Sequence, residues 1–180
     1  MNSWNGSENN LLFMNLGGTH FSDMARPLGC DEIQESRGVA IADLDKNGKL
    51  DIVITNNDAA PTIYLNQIAS KDRFFRCQLQ GDPKLSKSGL ASSMDALGAR
   101  VEVDMTQDGK KSTITRYVEA GSGYAAQSES TLHFGVGSVD SIDEVRIAWP
   151  SGTLQKVAGS NSLLDQVWLI EENKEPVSKS

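Results

Sequence analysis

The chain has 180 residues, with 17 Lys and Arg against 24 Asp and Glu, for a formal net charge of -7. At 38% hydrophobic and 23% charged, it has the composition of an ordinary soluble globular protein of one domain or two small ones. The acidic balance excludes a phosphate-backbone binder, which needs clustered Lys and Arg, and apolar runs of only a few residues exclude a transmembrane helix. The acid is uneven: residues 1–70 carry 4 basic and 9 acidic side chains, residues 71–180 carry 13 and 15. No charged and then apolar leader opens the chain. A piece cut from a longer protein would look the same, and a fragment is the expectation here.

Asn5-Gly6-Ser7 is a glycosylation sequon if the source secretes through a eukaryotic pathway. Leu12-Phe13-Met14-Asn15 and Ile63-Tyr64-Leu65-Asn66 share an apolar-aromatic-apolar-Asn pattern, 51 positions apart. Self-similarity at that period suggests a β-propeller blade or a related β array. Between the copies lies the most informative segment, Asp43-Leu44-Asp45-Lys46-Asn47-Gly48-Lys49-Leu50-Asp51. Side-chain oxygens recur at loop positions 1, 3 and 5, a glycine follows at 6, and another Asp stands at 9. A hard cation such as Ca²⁺ takes about six to eight oxygens at about 2.3–2.6 Å, and the glycine permits the sharp turn. The expected ligands are Asp43, Asp45, Asn47 and Asp51, with a backbone oxygen from Lys49. An EF-hand would place Glu at position 12, where this chain has Ile54. Val39-Ala40-Ile41-Ala42 before the loop and Ile52-Val53-Ile54-Thr55 after it predict strands, so the loop reads as a β-hairpin calcium site.

Arg37-Gly38-Val39-Ala40, the Asp43-x-Asp45-x-Asn47-Gly48-x-x-Asp51 loop and the two Asn-terminated strands together resemble an FG-GAP/VCBS repeat. The resemblance covers roughly residues 9–68, one repeat with the edge of another. It implies a blade of an integrin-α-like β-propeller whose acidic hairpin binds calcium. Because a propeller needs about four or more blades, the remaining blades are expected in a longer chain.

Further along, Phe74 to Leu79 predicts a strand and Lys84 to Leu97 a long loop or one short helix. Val101, Val103 and Met105 alternate with Glu102 and Asp104, a half-buried strand. Asp108-Gly109 then cues a hairpin into Ser112–Glu119. Val145, Ile147 and Trp149 predict another strand, ending at Pro150-Ser151-Gly152 with the residues of a type I turn. Leu154 to Val157 and Val167 to Glu171 supply two more. The polar tail, residues 173–180, is expected to be disordered.

Several fragments mimic catalytic or cofactor motifs. Gly121-Ser122-Gly123-Tyr124-Ala125-Ala126 fits G-x-G-x-x-A, but no helix pattern follows, so the glycines read as a bend between strands. His133, Ser151 and Asp143 contain the residue types of a triad without a nucleophile elbow. Cys30 and Cys77 pair, stay free or belong to the framework of a longer chain. Trp149 and Trp168 read as core aromatics, with an exposed tryptophan or Tyr124 as the alternative, a sugar-stacking platform.

Four ordered strings are more specific: Ala96-Leu97-Gly98-Ala99-Arg100-Val101, Gly121-Ser122-Gly123-Tyr124-x-x-Gln127-Ser128, Leu132-His133-Phe134-Gly135-Val136-Gly137 and Trp149-Pro150-Ser151-Gly152-x-x-Gln155. Together they resemble the ASPIC/UnbV domain of the cartilage acidic protein family, over approximately residues 71–172. The resemblance supplies no catalytic residue and implies an extracellular, periplasmic or cell-surface calcium-binding protein. The expectation is therefore an all-β chain. It comprises a partial β-propeller blade over 1–70, then a small antiparallel β-sandwich or barrel over 71–172. Its expected function is noncatalytic, in adhesion or recognition of a protein or glycan ligand. The alternative is a carbohydrate-binding module accessory to a secreted enzyme.

Overall fold

The computed structural model describes residues 8–85 and 89–179. The Asn5-Gly6-Ser7 sequon, part of the predicted 84–97 loop and Ser180 lie outside the described residues. The chain divides into two compact units, one of residues 1–67 with 121–128, the other of residues 68–120 with 129–180. Among the described residues the regular secondary structure of both is almost all strand.

In the first unit, β1 (Phe13–Asn15) and β2 (Phe21–Asp23) form a short antiparallel hairpin. A single helical turn, α1 (Ala25–Leu28), follows and stops at Gly29, whose φ of 70° supplies a left-handed cap. No periodicity announces so short a helix. β3 (Ser36–Ala42), β4 (Asp51–Asn56) and β5 (Thr62–Tyr64) make an antiparallel three-stranded sheet in the order β3-β4-β5. The β-branched runs on both sides of the acidic loop thus form a hairpin, running from Ser36↔Asn56 to Ala42↔Asp51.

The second unit pairs two four-stranded sheets. One has the order β11 (Leu154–Ala158), β10 (Ile142–Ala148), β7 (Arg100–Gln107), β8 (Lys110–Tyr117). The other has the order β13 (Val177–Ser178), β12 (Val167–Glu171), β6 (Arg73–Gln80), β9 (Leu132–Gly137). Alternate residues of both sheets, among them Phe75, Val101, Val103, Phe134, Val145 and Ile170, are buried in one apolar cluster. That arrangement is a sandwich. The Asp108-Gly109 turn has φ values of 51° and 72° and joins Gln107 to Lys110 in register, as a type I′ hairpin requires. Gly152 N–H donates to the Trp149 carbonyl at 3.0 Å, closing the expected turn over Pro150 and Ser151.

Two expectations need correction. The sandwich is not purely antiparallel: β12 runs parallel to β6, from Val167↔Arg76 to Glu171↔Gln80. These strands lie far apart in the chain, so no local turn dictates their direction. Nor is the tail unstructured throughout. β13 pairs with β12 through Trp168↔Ser178 and Leu169↔Val177, and Lys179 N–H donates to the Val167 carbonyl at 2.7 Å. A sheet edge recruits a polar segment that has no hydrophobic pattern of its own.

Candidate metal centre

The acidic loop is held from below by the β3–β4 ladder, whose last pair, Ala42↔Asp51, sets Asp43 and Asp51 close together. Lys46 and Gly48 both take positive φ, 59° and 84°, and this winding turns the loop back on itself. Asp43 Oδ1 accepts the Asn47 N–H at 3.0 Å and Oδ2 accepts the Gly48 N–H at 3.0 Å. Asp45 Oδ1 accepts the same Asn47 N–H at 3.3 Å. Asp51 is fully buried, and its two oxygens accept the N–H groups of Leu44 and Asn66, each at 2.8 Å.

One carboxylate oxygen from each of Asp43, Asp45 and Asp51 lies within 4.8 Å of the others. Two oxygens on opposite sides of a Ca²⁺ stand about 4.6–5.2 Å apart, twice the usual ligand distance, so this separation suits a single shared ion. The donors are all oxygen, the set a hard cation prefers over the nitrogen and sulfur that zinc takes. Three anionic groups this close repel unless a cation lies among them. The other two expected ligands, Asn47 and Lys49, lie in the same loop. Asn47 donates through Nδ2 to Asp45 Oδ2 at 3.0 Å and accepts the Lys49 N–H on Oδ1 at 2.8 Å, so its amide braces the loop. Lys49 is half-buried beside it.

Asn66 is a site residue that the loop pattern does not contain. Its N–H fixes Asp51, and its amide donates to the Leu50 carbonyl at 3.3 Å. The signal was present in the Ile63-Tyr64-Leu65-Asn66 echo, which ends on this residue.

The remaining candidates separate. Ser151 is buried and donates to Glu172, with Thr153 Oγ1 also 3.0 Å away. Asp143 accepts from Thr106, and His133 stacks on Phe74 with ring centroids 5.9 Å apart. The three triad residue types therefore serve three different contacts. Trp149 is buried with its indole N–H on Gln155, and half-buried Trp168 donates to the Leu163 carbonyl. Tyr124 is 78% exposed. Cys30 and Cys77 are both free. Burial in the sandwich pushes the Cys77 thiol up to about 12, which leaves it an inert core group.

Residues 89–177 match the family model described as ASPIC and UnbV. This stretch, just under half of the chain, is similar to that family. The matched span takes in β7 to β12 and reaches Val177 of β13, and β6 completes the second sheet from outside it. The chain is also similar to three proteins called cartilage acidic protein 1. It is 27% identical to the one from Mus musculus over 146 residues, 78% of this chain and 21% of that protein. It is 42% identical to the one from Xenopus tropicalis and 44% to the one from Homo sapiens, in each case over 57 residues, 31% of this chain and 9% of those proteins. The chain thus spans about a fifth or less of the length of these relatives. Among the described residues no helix is long and apolar enough to cross a membrane.

Proposed function

We propose that the first unit is an FG-GAP/VCBS-like repeat that binds one Ca²⁺ through Asp43, Asp45 and Asp51. In this reading the whole chain is a noncatalytic part of an extracellular or cell-surface protein that acts in adhesion or ligand recognition. The observation that carries it is the grouping of the three carboxylates within 4.8 Å at the end of a hairpin, two of them buried. A bound Ca²⁺ would supply the positive charge that lets them stay together. The chain's own residues do the rest: Leu44, Asn47, Gly48 and Asn66 aim the carboxylates with their N–H groups. Exposed Leu11, Phe13, Phe21 and Ile63 are side chains that neighbouring blades of a longer chain would cover. The likeness to cartilage acidic protein 1 supports the extracellular setting.

Isothermal calorimetry with CaCl₂ tests the ion. Binding is expected in wild type and lost in Asp45→Ala, an exposed position whose substitution leaves the fold intact. Heat that persists unchanged in Asp43→Ala and Asp45→Ala would refute the assignment. A second reading, a carbohydrate-binding module, rests on the exposure of Tyr124, whose ring is free to stack on a sugar. Binding across a glycan array that Tyr124→Ala abolishes would favour it, and silence on the array would leave protein ligands.

A further inference from the structure

The segment Gly121–Ser128 belongs with the first unit although the residues on both sides of it belong to the second. It lies along the outer edge of β3, which has β4 on one side only. At one end of that edge, a Cβ on Gly38 would stand 3.1 Å from the Tyr124 carbonyl oxygen and 3.4 Å from the Ala126 Cβ. At the other end, Ile41 N–H donates to Ser128 Oγ at 3.1 Å. The segment is braced within itself. Ser128 N–H donates to Ser122 Oγ at 2.8 Å, the two hydroxyls lie 2.9 Å apart, and Gly123 bridges Ala126 around a turn in which Ala125 has φ 49°. The G-x-G-x-x-A string is thus a compact strap for a sheet edge.

We propose that docking of this strap is coupled to occupancy of the acidic loop, so that calcium fixes the strap and the strap in turn raises calcium affinity. The inference rests on the calcium reading above. Ile41, which the strap grips, stands two residues before Asp43, and the intervening Ala42 forms the closing pair with Asp51. Repulsion among Asp43, Asp45 and Asp51 acts directly on that closing pair. Neutralising it holds the end of β3 in the position where the Ile41 N–H meets Ser128 Oγ. Coupling of this kind is reciprocal, since each event changes the equilibrium of the other by the same factor.

Hydrogen exchange by mass spectrometry on the full 180-residue chain, with CaCl₂ and with EGTA, is the test. Calcium is expected to slow exchange across residues 121–128 by about three- to tenfold, the range of one well-made hydrogen bond, while peptides from β8 stay unchanged. Asp45→Ala removes that response. Ser128→Ala leaves the strap fast under both conditions and weakens calcium binding by about two- to fivefold in calorimetry. Calcium heat with no change at 121–128, or equal slowing at β8, overturns the coupling while leaving the ion site standing. Absence of calcium heat overturns both.

Discussion

Asp51 in the first unit and Glu172 in the second are both buried carboxylates, and their surroundings differ in a way that separates a metal candidate from a structural brace. Glu172 sits among the hydroxyls of Ser92, Ser151 and Thr153 and accepts the Asp82 N–H at 3.0 Å. Desolvation pushes its carboxyl upward, and these donors more than offset that, leaving it below the ordinary carboxylate range. Asp51 has two backbone donors and two further carboxylates beside it. Protein donors complete one site, whereas the other gathers negative charge. The apolar side chains differ in parallel. The second unit buries Phe75 and Phe134 completely, while in the first Phe13 and Phe21 remain 59% and 62% exposed. A self-sufficient core in one unit stands against a small one in the other.

The strongest way to break this contrast is to remove part of the good core. Phe134→Ala is expected to cost about 3–5 kcal/mol, read by urea unfolding followed through Trp149 and Trp168 fluorescence. A loss below about 1 kcal/mol would mean that the sandwich does not depend on that core. Next comes the ion. Calcium at about a hundredfold over its Kd should stabilise the first unit by about 2.7 kcal/mol. The expected readout is slower amide exchange at Leu44, Gly48 and Asn66, with β10 amides unmoved, and uniform protection of both units would erase the distinction.

Glu172→Gln is expected to destabilise the second unit by about 2 kcal/mol at neutral pH, because an amide presents N–H groups to hydroxyls that were donating. The pH dependence has a definite sign. A carboxyl whose folded pKa is depressed adds stability above its unfolded value, about 4.3, and that contribution disappears as pH falls through the lower folded value. The melting temperature of wild type should therefore fall in acid more steeply than that of Glu172→Gln, and parallel curves would show that Glu172 is not the group responsible. The smallest effect is expected from Gly38→Ala, about 1 kcal/mol. Its Cβ must displace Thr55 Oγ1 at 3.0 Å or the Tyr124 carbonyl, and faster exchange at Ile41 would report the displaced strap.

Much of this protein was legible without coordinates wherever cause and effect lie close in the chain. Alternation at Val101, Val103 and Met105 marked β7, Asp108-Gly109 marked the β7–β8 hairpin, and Val167–Glu171 matched β12 to the residue. The spacing of Asp43, Asp45 and Asp51 around Gly48 foretold a convergent acidic turn, because a tightly wound loop brings side chains two apart to one side. The four ordered strings carry the likeness to the ASPIC and UnbV family.

Tertiary structure alone decided the rest. The parallel register of β6 and β12, the recruitment of Val177–Ser178 as an edge strand and the attachment of Gly121–Ser128 to the β3 edge all join residues far apart in sequence. Likewise, only the fold brings the Asn66 N–H to Asp51 and the hydroxyls of Ser92 and Ser151 to Glu172. Local patterns encode which face of a segment is apolar and where it turns. Which distant backbone edge or buried carboxylate it then satisfies depends on packing, because any free N–H or hydroxyl in the right place serves equally well.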